Sequence, residues 1–134
     1  MGGKSTGIIQ NLASKSKSVY IDAMILAILD DKFSVETLLN NLSEADFNLD
    51  DVSIVMSDVE QANAFEQNKG PLIGIKPEGV NEALVNMGIS KKGAKTCQDA
   101  VTNGSILLVM NVAEEYSSAA EEIFQDHSAQ LIKG

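Results

Sequence analysis

The sequence predicts an α+β domain, a ferredoxin-like split βαβ sandwich with extra short helices inserted between its two halves. Three observations predict it. One strand–helix phrase is stated twice: Ile25-Leu26-Ala27-Ile28-Leu29 returns as Ile106-Leu107-Leu108-Val109-Met110, and the same shift carries Val35, Leu38, Leu39 and Leu42 onto Tyr116, Ala119, Ala120 and Ile123. The strands are apolar at successive positions, so both faces of their sheet need covering. Between the two phrases lies a stretch, residues 58–103, with helical patterning and heavy Gly/Pro punctuation.

Residues 1–19 read as an arm separate from a single domain at 20–134. The arm is rich in Gly, Ser and Lys, with a short apolar patch of Ile8, Ile9 and Leu12. Alone, a two-turn helix there is marginal in water, so it is expected to be flexible or to dock on a partner through those three residues. Gly2-Gly3-Lys4-Ser5-Thr6 resembles the end of a phosphate-binding loop but lacks the preceding strand and first glycine that would let backbone amides encircle phosphate. It also matches an N-myristoylation pattern, with three nearby lysines as a second membrane signal. A flexible tail is the simpler reading.

The domain begins with a strand at Ala23–Leu29, apolar almost throughout and closed by Asp30-Asp31. Ser34 is the expected N-cap of the next helix, whose stripe is Val35, Leu38, Leu39 and Leu42; it ends near Ala45-Asp46, and Phe47 packs back on the core. Asp51–Met56 forms the second strand. A helix is expected over Asp58–Asn68, turns from Gly70-Pro71 to Gly79, and a short helix over Val80–Met87 ending at Gly88. Ser90 caps a helix to Asn103, with Ala94, Cys97 and Val101 inward, and Gly104 stops it. Ser105–Val112 is the third strand, Glu114 and Glu115 open a last helix to about His127, and Ala129–Ile132 is a fourth strand.

Right-handed crossovers would set strands one and three side by side and parallel at the centre of a four-stranded antiparallel sheet, with both main helices on one face. The other face must then be covered by the inserted helices or by a second subunit.

The run Leu84-Val85-Asn86-Met87-Gly88-Ile89-Ser90-Lys91-Lys92-Gly93-Ala94-Lys95, continuing through Val101-Thr102-Asn103-Gly104-Ser105-Ile106-Leu107-Leu108-Val109, resembles the YflT-like general stress protein family. So does the strand and helix closing in Ala45-Asp46-Phe47, followed by Asp50-Asp51-Val52-Ser53-Ile54-Val55. The likeness covers roughly residues 23–130. Asp46 stands where that family usually has a turn glycine, Cys97 where tyrosine is common, and the central glycines are reduced to Gly70, Gly74 and Gly79. The resemblance implies the fold and a link to bacterial stress physiology, and supplies no catalytic residues.

Composition narrows the role. The chain has 134 residues, 44% of them apolar, enough for one core. Its single cysteine, Cys97, excludes an intramolecular disulfide and fits a reducing compartment; no apolar run is long enough to span a bilayer. A cytoplasmic location is expected. Net charge is −9 and there is no arginine, so bidentate recognition of phosphate or guanine is ruled out and nucleic-acid binding is set aside.

If the central strands were parallel, Asp30, Asp31, Glu114 and Glu115 would meet at one sheet edge, where clustered oxygens suit a hard divalent cation. The simpler reading is that acids at helix starts answer the helix dipole. His127 has no metal-binding partners in the pattern, Cys97 sits on an apolar stripe, and no nucleophile motif is present. The sequence therefore predicts a non-enzymatic module without cofactor, one that forms a homo-oligomer or joins a larger assembly. A regulatory binder of a small ligand or cation, with a cleft between the inserted helices and the sheet, is the alternative.

Overall fold

The structure is a computed structural model and describes residues 22–50, 52–66 and 68–132. Its elements are β1 (Asp22–Leu29), α1 (Lys32–Glu44), β2 (Val52–Val55), α2 (Val59–Asn63), a 3₁₀ turn at Pro77–Gly79, α3 (Val80–Asn86), α4 (Lys91–Thr102), β3 (Ile106–Ala113), a second 3₁₀ turn at Glu114–Tyr116, α5 (Ser117–Asp126) and β4 (Gln130–Ile132). The four strands form one sheet in the order β2-β3-β1-β4. This is an α+β fold, and no helix among the described residues is long and apolar enough to cross a membrane.

Every neighbouring pair in the sheet is antiparallel, which corrects the expectation of parallel central strands. Leu29 of β1 faces Ile106 of β3, and Asp22 faces Ala113. The insertion causes this. After β2 the chain travels through α2, α3 and α4 and returns to the end at which β2 finished, where Val55 faces Leu107. The return is pinned by the Ser57 hydroxyl, which donates to the carbonyl oxygen of Val101 at 2.6 Å. A strand that starts where its neighbour stops must run the other way.

The strand pleat sorts side chains between two cores. Ile25, Ala27 and Leu29 of β1, Val52 and Ile54 of β2, and Ile106, Leu108 and Met110 of β3 pack on one face against Val35, Leu38, Leu39 and Leu42 of α1 and Ala120 and Phe124 of α5. Leu26, Ile28, Val55, Leu107 and Val109 face the other way, against Leu72, Val80, Leu84, Ile89, Ala94, Cys97 and Val101. The second face is thus covered by the chain's own insertion. That insertion is not one layer, because Ala62 of α2 belongs to the first core and only the later part lies over the second face.

Helix boundaries differ in instructive ways. Asp31, not Ser34, caps α1: its backbone is extended (φ −148°) and its carboxylate accepts from the Ser34 amide at 2.8 Å. Both residue types cap helices well, and the acid two residues after the strand wins. Ser90 caps α4 as expected, accepting from the Gly93 amide at 3.1 Å. The helix expected to reach Asn68 stops at Asn63, because Asn68 is engaged elsewhere.

Candidate functional site

The antiparallel register separates the two acidic pairs. Asp30 and Asp31 follow the C-terminal end of β1, Glu114 and Glu115 the C-terminal end of β3, and those ends lie at opposite extremes of the paired eight-residue strands. Seven steps of about 3.4 Å put roughly 24 Å between them. The four-carboxylate edge does not form. Asp31 is occupied as a cap, and the carbonyl oxygen of Glu114 accepts from the Ser117 hydroxyl at 2.9 Å. Among the described residues no group of three or more His, Cys, Asp or Glu side chains is placed to hold a metal ion. Ile8, Ile9 and Leu12, the expected docking residues, lie outside the described residues, as does the Gly2–Thr6 motif.

His127 follows α5, and its Nε2 lies 2.6 Å from Nδ2 of Asn41, joining the ends of α5 and α1. Cys97 is fully buried in the second core, where desolvation pushes its thiol from 9.0 up to about 11. Such a thiol is a packing group, not a nucleophile. The cleft foreseen between the inserted helices and the sheet is filled by Leu72, Val80, Leu84 and Val101.

Two buried polar side chains escaped the sequence reading. Ser53 and Asn68 are 0% and 3% exposed. Asn68 lies along the outer edge of β2 and copies a peptide group there. Its Oδ1 accepts from the Ile54 amide at 2.9 Å, and its Nδ2 donates to the carbonyls of Ile54 and Ala62, both at 3.0 Å. The next amides, of Lys69 and Gly70, donate to the Val52 carbonyl at 2.9 and 2.7 Å, and Leu72 N–H donates to Ser53 Oγ at 3.1 Å. The backbone runs so close that a Cβ on Gly70 would lie 2.2 Å from Ser53 Oγ and 2.9 Å from the Val52 carbonyl carbon. The one sequence cue was the Asn-Lys-Gly-Pro punctuation, which reads as a turn and nothing more.

The surface is electrically divided. Residues 30–50 and 114–127, which form the α1/α5 layer and its flanks, carry eleven acids and one lysine. Residues 68–105, the layer over the other face, carry five lysines and three acids. The α3–α4 hairpin from Ala83 to Gln98 holds Lys91, Lys92 and Lys95 and no acid, and all three lysines are exposed. Lys95 is bonded to Asp99 at 2.9 Å on the surface. Phe33, at the start of α1 among these acids, is 77% exposed.

No protein-family model, curated protein or solved structure matches the chain.

Proposed function

We propose that the chain is a non-enzymatic interaction module, built on a ferredoxin-like split βαβ sandwich, that self-associates or serves as a small subunit of a larger assembly. The strand order supports the ferredoxin-like reading: each of the units β1-α1-β2 and β3-α5-β4 leaves one strand's width, which the other unit fills. A relation to the YflT-like general stress proteins belongs to the same proposal. Asp46 supports it by taking a left-handed backbone (φ 69°) where that family has its turn glycine.

The observation that carries the interaction reading is the charge division. An acidic layer with an exposed phenylalanine and a lysine-bearing hairpin on the opposite side are complementary surfaces on one molecule. Two copies can meet acidic layer to hairpin. Charge complementarity of this kind sets partner choice and encounter rate, and it weakens with salt. With both sheet faces filled from within, the second sheet face is no longer the docking surface; the outer surfaces of the helices are.

Light scattering of the full chain tests this. At low salt the mass is expected to exceed 14.3 kDa and to rise with concentration. It should fall back at about 1 M salt, where the screening length is about 3 Å. Replacing Lys91, Lys92 and Lys95 by Glu should abolish the low-salt species. A 14.3 kDa particle at every concentration and salt would remove self-association and leave only the small-subunit form of the reading.

A further inference from the structure

The two open sides of a sheet are the places where another chain can add a strand, because an edge presents unpaired N–H and C=O groups. In this fold the β2 edge is occupied. Residues 68–72 lie along it and satisfy the outward groups of Val52 and Ile54, partly with backbone amides and partly with the Asn68 side chain. An ordinary neighbouring strand would do this with backbone alone. Here one side-chain amide, two amides sharing the Val52 carbonyl, and the Leu72–Ser53 bond take the place of a ladder. Beneath them runs Val52-Ser53-Ile54-Val55-Met56, a stretch with no charge, no proline and three β-branched aliphatic residues. Short segments of that kind pair readily with identical copies when their edges are bare.

We propose that residues 68–72 form a strap over the β2 edge, and that release of the strap turns this edge into a self-pairing surface whose occupant is the β2 strand of a second copy of this chain. The strap's bonds join uncharged amide, carbonyl and hydroxyl groups, so they are independent of the charged layers described above. The strap is held at a few points. Asn68 and Leu72 are its two buried side chains, and Gly70 passes too near β2 to carry a Cβ without moving. Freed of the strap, Ile54 exposes an amide and a carbonyl aimed away from β3. A second β2 can pair with them antiparallel about a two-fold axis, each copy presenting the same residues to the other.

The test is made on the full chain at about 1 M salt, where association through charged surfaces is screened. Two variants release the strap by different means: Asn68→Ala removes the side-chain bonds, and Gly70→Ala forces the backbone off Ser53. Each folded variant is expected to grow beyond 14.3 kDa as concentration rises, while the native sequence does not. In the associated variants the Ile54 amide should regain protection from hydrogen exchange that it lacks on dilution. Folded variants that stay at 14.3 kDa at every concentration, with Ile54 exchanging freely throughout, overturn the proposal. Should neither variant fold, the native chain decides. Its Ile54 amide is expected to exchange at least about tenfold faster than that of Leu108 in the central strand, through local opening of the strap. Equal rates would mean that the strap opens only when the whole domain unfolds, and the proposal fails.

Discussion

Cys97 illustrates how one position can be chemically eye-catching in sequence and mute in structure. The apolar stripe Ala94, Cys97, Val101 foretold burial, and α4 presses all three residues against the sheet at 0% exposure. Burial disfavours the thiolate, so the folded-state value is raised from 9.0 to about 11. The folded protein holds its proton more tightly than the unfolded chain does, so the stability contributed by the neutral thiol is whole below about pH 9 and is lost as pH climbs toward 11. The difference in urea midpoint between the native chain and Cys97→Ala should therefore be constant from pH 6 to 8 and shrink above pH 9. A constant difference across that window would contradict the assignment. Asn68 is the opposite case. Nothing about an asparagine between Gln67 and Lys69 announces that it is 3% exposed with all three bonds made to backbone, because its partners, Ile54 and Ala62, come from other elements.

Helix ends were legible where glycine wrote them. Gly88 and Gly104 were expected as stops, and both have left-handed backbones, φ 99° and 100°. The structure adds that α1 and α5 end in the same way without glycine, through Asp46 (φ 69°) and Ser128 (φ 62°). All four ends share one hydrogen-bond pattern, in which the amide after the left-handed residue reaches back to close the last turn: Phe47 to Leu42, Ile89 to Leu84, Ser105 to Ala100 and Ala129 to Phe124. In three of the four, that following residue is apolar and packs on a core: Phe47, Ile89 and Ala129. Start signals were harder to read because Asp31 and Ser34 have equal capping chemistry and only the strand's end point chooses between them. The shared ending makes a comparison possible. A side chain at positive φ costs free energy that glycine does not incur. Asp46→Gly and Ser128→Gly are each expected to stabilise the domain by about 0.5–1 kcal/mol, less the entropy glycine adds to the unfolded chain. Gly88→Ala and Gly104→Ala should destabilise it by about 1 kcal/mol. Urea midpoints of the four variants give the comparison, and a loss of stability in the first pair would refute the argument.

At the scale of the molecule, the repeat specified two strand–helix–strand units and left their relative direction open. Identical local patterns carry no information about which way one unit points against the other. The insertion decides it, by returning the chain to the end where β2 stops and tying Ser57 to Val101. The need for a second cover was readable, since Leu26, Ile28, Leu107 and Val109 could not face water, and the insertion supplies it. Direction also governs what the acids can do. In parallel strands the two pairs would share an edge; in the observed register they stand at opposite ends, roughly 24 Å apart. A divalent cation needs several oxygens within 2–3 Å of itself, so neither end alone offers the six or more ligands calcium takes. Calcium or magnesium is therefore expected to leave the melting temperature unchanged at matched ionic strength. Asp31 should matter for another reason. Asn caps a helix about as well as Asp, so Asp31→Asn should be nearly neutral, whereas Asp31→Ala should cost about 1 kcal/mol by freeing the Ser34 amide. A cation-dependent melting shift abolished equally by both substitutions would show that the carboxylate serves as a ligand; a loss confined to Ala identifies it as the cap of α1.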